Sequence, residues 1–191
     1  MFRVNATRPI SMYDDDKIIK CNSPIEMRSY ELLGHHPNFL KYYGSKNNCI
    51  ILEYLPNFND FESMFGTTPD NFLEIVTQSF SALDYLHYKG LYHGDLGNGK
   101  NIVWDLNLNR VVLIDLEGGE IGNKTEELWW DNRDLCLLLW LILDGDIPQE
   151  MYEVLNDSDY ESFIDYINER RERYDDMDIQ RAIDIIVSRL K

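Results

Sequence analysis

The sequence predicts an α+β chain on three observations. Short β-branched runs crowd the first third, one long amphipathic helix fills the middle, and helical periodicity returns after a single hairpin. Lys17-Ile18-Ile19-Lys20-Cys21 is a compact β-branched run and reads as a strand. Residues 23–33 carry a helix start, with Ser23 as N-cap, Pro24 at N1 and Glu26 at N3 of a capping box. Gly34 closes that helix and Pro37 bars its return. Phe39–Tyr43 and Cys49–Tyr54 are strand candidates on either side of the turn-rich stretch 44–48.

After Pro56 the period changes. From Pro69 to His87 the apolar residues Phe72, Val76, Phe80 and Leu83 fall on one face of a helix of about five turns, which Gly90 ends. Asn101–Trp104 and Arg110–Ile114 form a hairpin with a long loop. Leu135–Leu143 is apolar on all faces and reads as a buried helix, with Trp129-Trp130 packed beneath a neighbouring one. Tyr160–Arg173 and Ile179–Leu190 are amphipathic, with Asp178 as N-cap of the second.

Composition narrows the function classes. At about 100–200 residues per domain, the 191-residue chain is one domain or one unit of two small lobes. A formal charge of −16 opposes binding to nucleic acid or to anionic membranes, both of which require excess Lys and Arg. A partner with a basic or neutral surface, or an anion delivered with metal ions, fits better. Cys21, Cys49 and Cys136 lie far apart with no CxxC pair, which argues against a disulfide scaffold and a cysteine zinc site. The segment MFRVNATRPI lacks a signal-peptide core, and the longest apolar run is about half a membrane span. The expectation is therefore a soluble cytoplasmic protein, with the Asn5-Ala6-Thr7 sequon of little weight.

The chemistry concentrates in Tyr92-His93-Gly94-Asp95-Leu96, Asn101 and Asp115-Leu116-Glu117. A loop after a long helix and the end of the next hairpin can bring Asp95, Asn101 and Asp115 together. Magnesium takes oxygen ligands, one or two of them carboxylates, with phosphates completing its shell. Phosphoryl transfer needs such metals and a carboxylate that orients the attacking hydroxyl.

The ordered set resembles the protein-kinase family. Residues 82–96 with Asn101 are similar to its long helix and catalytic loop, and Val111–Glu117 to the strand entering its metal-binding motif. His36-Pro37-Asn38 resembles the family's HPN turn, Ile50–Pro56 its fifth strand and hinge, and Asp131 with Trp140 the start of its buried helix. The HGD variant is similar to fungal or small atypical kinases. The resemblance implies a two-lobed kinase-like fold over residues 1–191. A reduced β-rich N-lobe would span about 1–55 and a truncated helical C-lobe about 56–191.

It also implies roles. Asp95 would be the catalytic-loop base, and Asn101 and Asp115 would hold Mg2+. Lys20 would contact the α- and β-phosphates of ATP, paired by Glu26. The backbones of Glu53 and Leu55 would bond adenine, with Leu52 as gatekeeper and Val103 on the ring face. His93 and Leu116 would be packing members joining the lobes. Structural readings stand beside these: Glu26 as a helix cap, Lys20 as a surface lysine in competition with Lys17, and His93 as a core histidine.

Four departures from the family pattern matter. The sixteen residues before Lys17 contain no glycine, so there is no Gly-rich loop. Asn101 lies six residues after Asp95 where the family has five, and Lys100 could fold back to supply a charge at the loop. Gly94 stands where the family has Arg. Asp115 to Asp131 spans only sixteen residues, too few for a full activation segment. Three functions compete: a phosphotransferase acting on a protein hydroxyl, a pseudokinase serving as a nucleotide-binding or scaffold module, and a small-molecule kinase.

Overall fold

The computed structural model describes residues 10–21, 23–122, 125–149, 151 and 160–191. A four-stranded antiparallel sheet comes first, built from β1 (Ile10–Asp14), β2 (Lys17–Cys21), β3 (Tyr42–Lys46) and β4 (Cys49–Glu53) in the order β1-β2-β4-β3. Helix α1 (Pro24–Leu33) connects β2 to β3. β5 (Phe58–Asp60), β7 (Ile102–Asp105) and β8 (Arg110–Leu113) form a second sheet, and β6 (Leu91–Tyr92) pairs with β9 (Gly119–Glu120). The helices are α2 (Phe72–Tyr88), α3 (Thr125–Asp144), α4 (Tyr160–Arg171) and α5 (Met177–Arg189). The α+β class expected from the sequence is the one observed. Among the described residues, no helix is long and apolar enough to cross a membrane.

β1 packs on β2 through a turn at Asp15 and Asp16, in a stretch whose solvated aspartates gave no strand signal. β3 runs to Lys46, beyond the expected Tyr43, because Asn47 and Asn48 both take positive φ (53° and 59°) and make a two-residue turn. That turn sets the register of β4 against both neighbours. Cys49 consequently stands directly opposite Cys21, and the two form a disulfide. The expectation against a disulfide scaffold did not allow for this bond, because a separation of 28 residues hides a pairing that strand register creates.

Two caps differ from expectation. Ser23 makes no cap bond through its side chain; its hydroxyl donates to Glu117 instead. Asp176, not Asp178, caps α5, accepting from the N–H groups of Asp178 and Ile179. Trp129 packs edge-on against Tyr160 of α4, as expected of a helix-covering residue. One hydrophobic cluster runs from Tyr30 and Leu33 of α1 through Leu83 and Leu86 of α2 to Trp140 of α3 and Ile183 of α5. It is the floor on which the loops between β6 and β9 are set.

Candidate active site

The loop after β6 is held from below. Asp131, buried in α3, accepts hydrogen bonds from the backbone N–H of His93 (2.7 Å) and of Gly94 (2.8 Å), and pairs with Nε2 of His87 at 3.0 Å. A carboxylate on a buried helix thereby fixes the backbone that presents Asp95. His93 is fully buried, and burial holds its pKa below the ordinary value, so the imidazole is neutral. Its Nδ1 accepts from the N–H of Asp95, which leaves Nε2–H to donate to the Ile114 carbonyl at 2.9 Å. His93 thus ties the loop to the segment before Asp115, as the packing role implied.

Gly94 and Gly118 account for the missing Arg in physical terms. Gly94 has φ +75°, and a Cβ there would lie 2.9 Å from the Tyr92 ring. A Cβ on Gly118 would lie 2.3 Å from the Tyr92 carbonyl oxygen. The two chain segments touch backbone to backbone, and no side chain fits between them.

The residue by which the Asp95–Asn101 spacing exceeds the protein-kinase pattern is absorbed in a turn over residues 97–100. Asn101 keeps its place beside Asp95, its amide nitrogen donating to the Asp95 carboxylate at 2.7 Å and to its carbonyl at 2.8 Å. Lys100 does not fold back as anticipated; its ammonium pairs with Glu62 at 3.2 Å on the exposed surface.

Across the cleft, Lys20 is buried and its ammonium meets three carboxylates: Glu26 at 2.7 Å, Glu117 at 3.3 Å, and Asp115 by a short contact. Burial raises the Glu26 pKa, and the Lys20 charge opposes the rise. Lys17 is spent elsewhere, on Asp14 and Asp16. Asp115 has φ +63°, the left-handed region that non-glycine residues seldom enter and that clusters at functional sites. Glu26, Asp115 and Glu117 each offer an oxygen within 4.8 Å of the others, a donor set suited to a hard divalent cation.

Two cavities meet at Asp115. One, of about 390 Å³, has apolar walls from Met12, Ile18, Leu52, Leu55, Val103 and Ile114, with Lys20 and Glu53 at its edge. Ile10, Ser11 and Met12 of β1 line one wall, in the stretch that carries no glycine. The other, of about 330 Å³, is polar and lined by Asp95, Asp115, Glu117 and Glu127 together with the Tyr92–Gly94 backbone. Leu116, between Asp115 and Glu117, is buried.

Sequence reasoning passed over three positioning residues. Asp131 was noted only as a helix landmark. Arg110 links β8 to Glu53 of β4 at 2.6 Å, to Asp105 at 3.1 Å and to the Pro37 carbonyl at 2.7 Å, so it fixes β4 to the His36-Pro37-Asn38 segment. Asn38 of that turn donates to the Val111 carbonyl at 2.8 Å and accepts from the Leu113 N–H at 2.9 Å.

No protein-family model matches the chain. Among solved structures it is similar to the protein kinase Rad53, residues 1–466, in complex with AMP-PNP. The TM-score is 0.58 and the identity 18%, over 92% of this chain and 53% of that one, so the chain spans about half the length of its neighbour. At that identity the likeness bears on architecture, and the architecture is kinase-like: a β-sheet region followed by helices.

Proposed function

We propose that the chain is an ATP-dependent phosphotransferase of protein kinase type that moves the γ-phosphate to a protein hydroxyl. The observation that carries this reading is the junction of the two cavities. An apolar slot fit for a purine meets an acidic pocket at Asp115, with Lys20 reaching in from one side and Asp95 from the other. The neighbour Rad53 was solved with AMP-PNP, which agrees with a nucleotide in the slot.

In this reading Leu52, Leu55 and Val103 sandwich the adenine, and the backbones of Glu53 and Leu55 meet its edge. Lys20, held by Glu26, neutralises the α- and β-phosphates. Asp115 and Asn101 would hold Mg2+, whose charge offsets that of the phosphates and of the transferring group. Asp95 orients the acceptor hydroxyl and takes its proton as the new O–P bond forms. The bond from the γ-phosphorus to the bridging oxygen breaks, and ADP leaves.

A second reading is a nucleotide-binding pseudokinase. It is favoured by the grip of three carboxylates on Lys20, which nucleotide phosphates must loosen before the lysine can serve them. One experiment sorts these readings. Mg-ATP at 100 times its Kd adds about 2.7 kcal/mol of stability, so a thermal shift at millimolar nucleotide is expected. Wild type and Asp95→Asn are then compared for transfer to a basic protein and to small alcohols. Loss of a general base lowers transfer by about 10²–10⁴-fold. Absence of a thermal shift refutes nucleotide binding, equal near-zero transfer by both proteins leaves the pseudokinase, and transfer to an alcohol alone reassigns the acceptor.

A further inference from the structure

Two neighbouring strands that line the nucleotide slot are tied by one covalent bond that the proposed chemistry does not use. β2 carries Lys20, and β4 carries Leu52 and leads into the hinge. The last rung of the ladder between them is Cys21 opposite Cys49, joined as a disulfide, and the rung before it is Lys20 opposite Ile50. Only Asn22 and Ser23 separate Cys21 from Pro24, the first residue of α1, and Glu26 lies on the first turn of that helix. The bond therefore sits where β2 hands over to α1, between the two members of the Lys20–Glu26 pair along the chain. Both cysteines are half-buried, within reach of a small thiol. Cys136 is fully buried, and burial pushes its thiol pKa up, so it is an inert internal control.

We infer that Cys21 and Cys49 form a redox-sensitive latch that sets how firmly Lys20 and Glu26 are held for nucleotide. The step is a thiol–disulfide exchange. Two protein thiols and one small-molecule disulfide, such as oxidised glutathione, give the Cys21–Cys49 bond and two glutathione thiols through a mixed disulfide. The two electrons lost by the cysteine sulfurs reduce glutathione, and their two protons end on its thiols. Closed, the latch stops the end of β2 from fraying and keeps α1 in position. Open, the terminal rung relies on backbone hydrogen bonds alone, and strand ends are where local opening starts. By linkage, whatever factor the bond adds to nucleotide affinity, nucleotide must add to the equilibrium constant for forming the bond.

This inference rests on the nucleotide reading of the slot, and the test separates the two. Full-length protein is equilibrated in glutathione buffers of graded ratio, with and without a Mg2+-bound fluorescent ATP analogue. Free Cys21 and Cys49 are trapped with a maleimide and resolved by mass. Analogue affinity is measured for the oxidised and dithiothreitol-reduced forms and for Cys49→Ser. The latch predicts that reduction and Cys49→Ser weaken binding alike, by about fivefold or more, the low end of ordinary coupling between sites. It also predicts that the analogue shifts the midpoint ratio toward the disulfide by the same factor. Binding of equal strength by both forms overturns the latch and leaves the nucleotide site intact. Thiols that stay free across all ratios overturn it as well. Binding by neither form refutes the nucleotide reading and the latch together.

Discussion

Replacing Asp131 by alanine isolates what one buried carboxylate does for the loop that carries Asp95. The side chain accepts from two backbone N–H groups and meets one imidazole nitrogen. The N–H of His93 is buried, so losing its acceptor exposes the full desolvation penalty of about 1–3 kcal/mol. Gly94 is exposed and water replaces its partner, so only the net worth of a charge-assisted bond is lost, about 1.5 kcal/mol. The His87 contact adds less, since that ring is partly solvated. Asp131→Ala should therefore lose about 3–4 kcal/mol in urea unfolding, a large part of the 5–15 kcal/mol typical of a domain. Hydrogen exchange at the amides of His93 and Gly94 should accelerate more than exchange in α2. Asp131→Asn keeps the volume and one acceptor, so it should lose roughly half as much. A loss below about 1 kcal/mol for Asp131→Ala, with unchanged exchange at residue 93, would refute the account of the loop as hung from this carboxylate.

Three further outcomes are expected. Gly118→Ala forces a Cβ to 2.3 Å from the Tyr92 oxygen and 2.5 Å from the His93 oxygen, so it should cost at least about 2–3 kcal/mol, read by thermal unfolding, and impair transfer through displacement of Asp95. Lys20→Met leaves Glu26 buried without its cation and should destabilise by about 3–5 kcal/mol, whereas Lys20→Met with Glu26→Gln should recover much of that loss. Burial lowers the pKa of His93, and of His36 more exposed at the surface, so below about pH 6.5 the unfolded chain takes up protons that the fold refuses. Stability should then fall as pH drops from about 6.5 toward the lowered native values, and the slope should flatten in His93→Gln, measured by urea midpoints.

Much of this was legible in the sequence because it is local. α2 follows from a 3.6-residue apolar period and the β7–β8 hairpin from two short β runs, while Asp95, Asn101 and Asp115 were singled out through the resemblance of their ordered motifs to the protein-kinase family. What escaped is set by tertiary contact. Residues 125–134 of α3 are too polar to signal a buried helix, and Asp131 is buried there because it satisfies another segment's backbone. β6 and β9 are two residues each, too short for any period, and they exist because Gly118 permits close approach. The Arg110–Glu53 ion pair joins residues 57 positions apart, and no local pattern encodes it. The disulfide was closer to view. The Asn47-Asn48 turn fixes where Cys49 falls in β4, and pairing the two strands in register would have placed it opposite Cys21.

The pairing of β9 with β6 has a consequence for control. Gly119 and Glu120 are fastened to Leu91 and Tyr92, and the Ile121 N–H donates to the Gly90 carbonyl at 2.8 Å. The stretch after Asp115 is thus annexed to the strand that delivers the catalytic loop. A protein whose competent arrangement is a minor population binds weakly in proportion, and an activator works by restoring that population. Here the stretch is docked on β6. In the phosphotransferase proposed above, tuning by this route would run downward, through anything that peels β9 from β6.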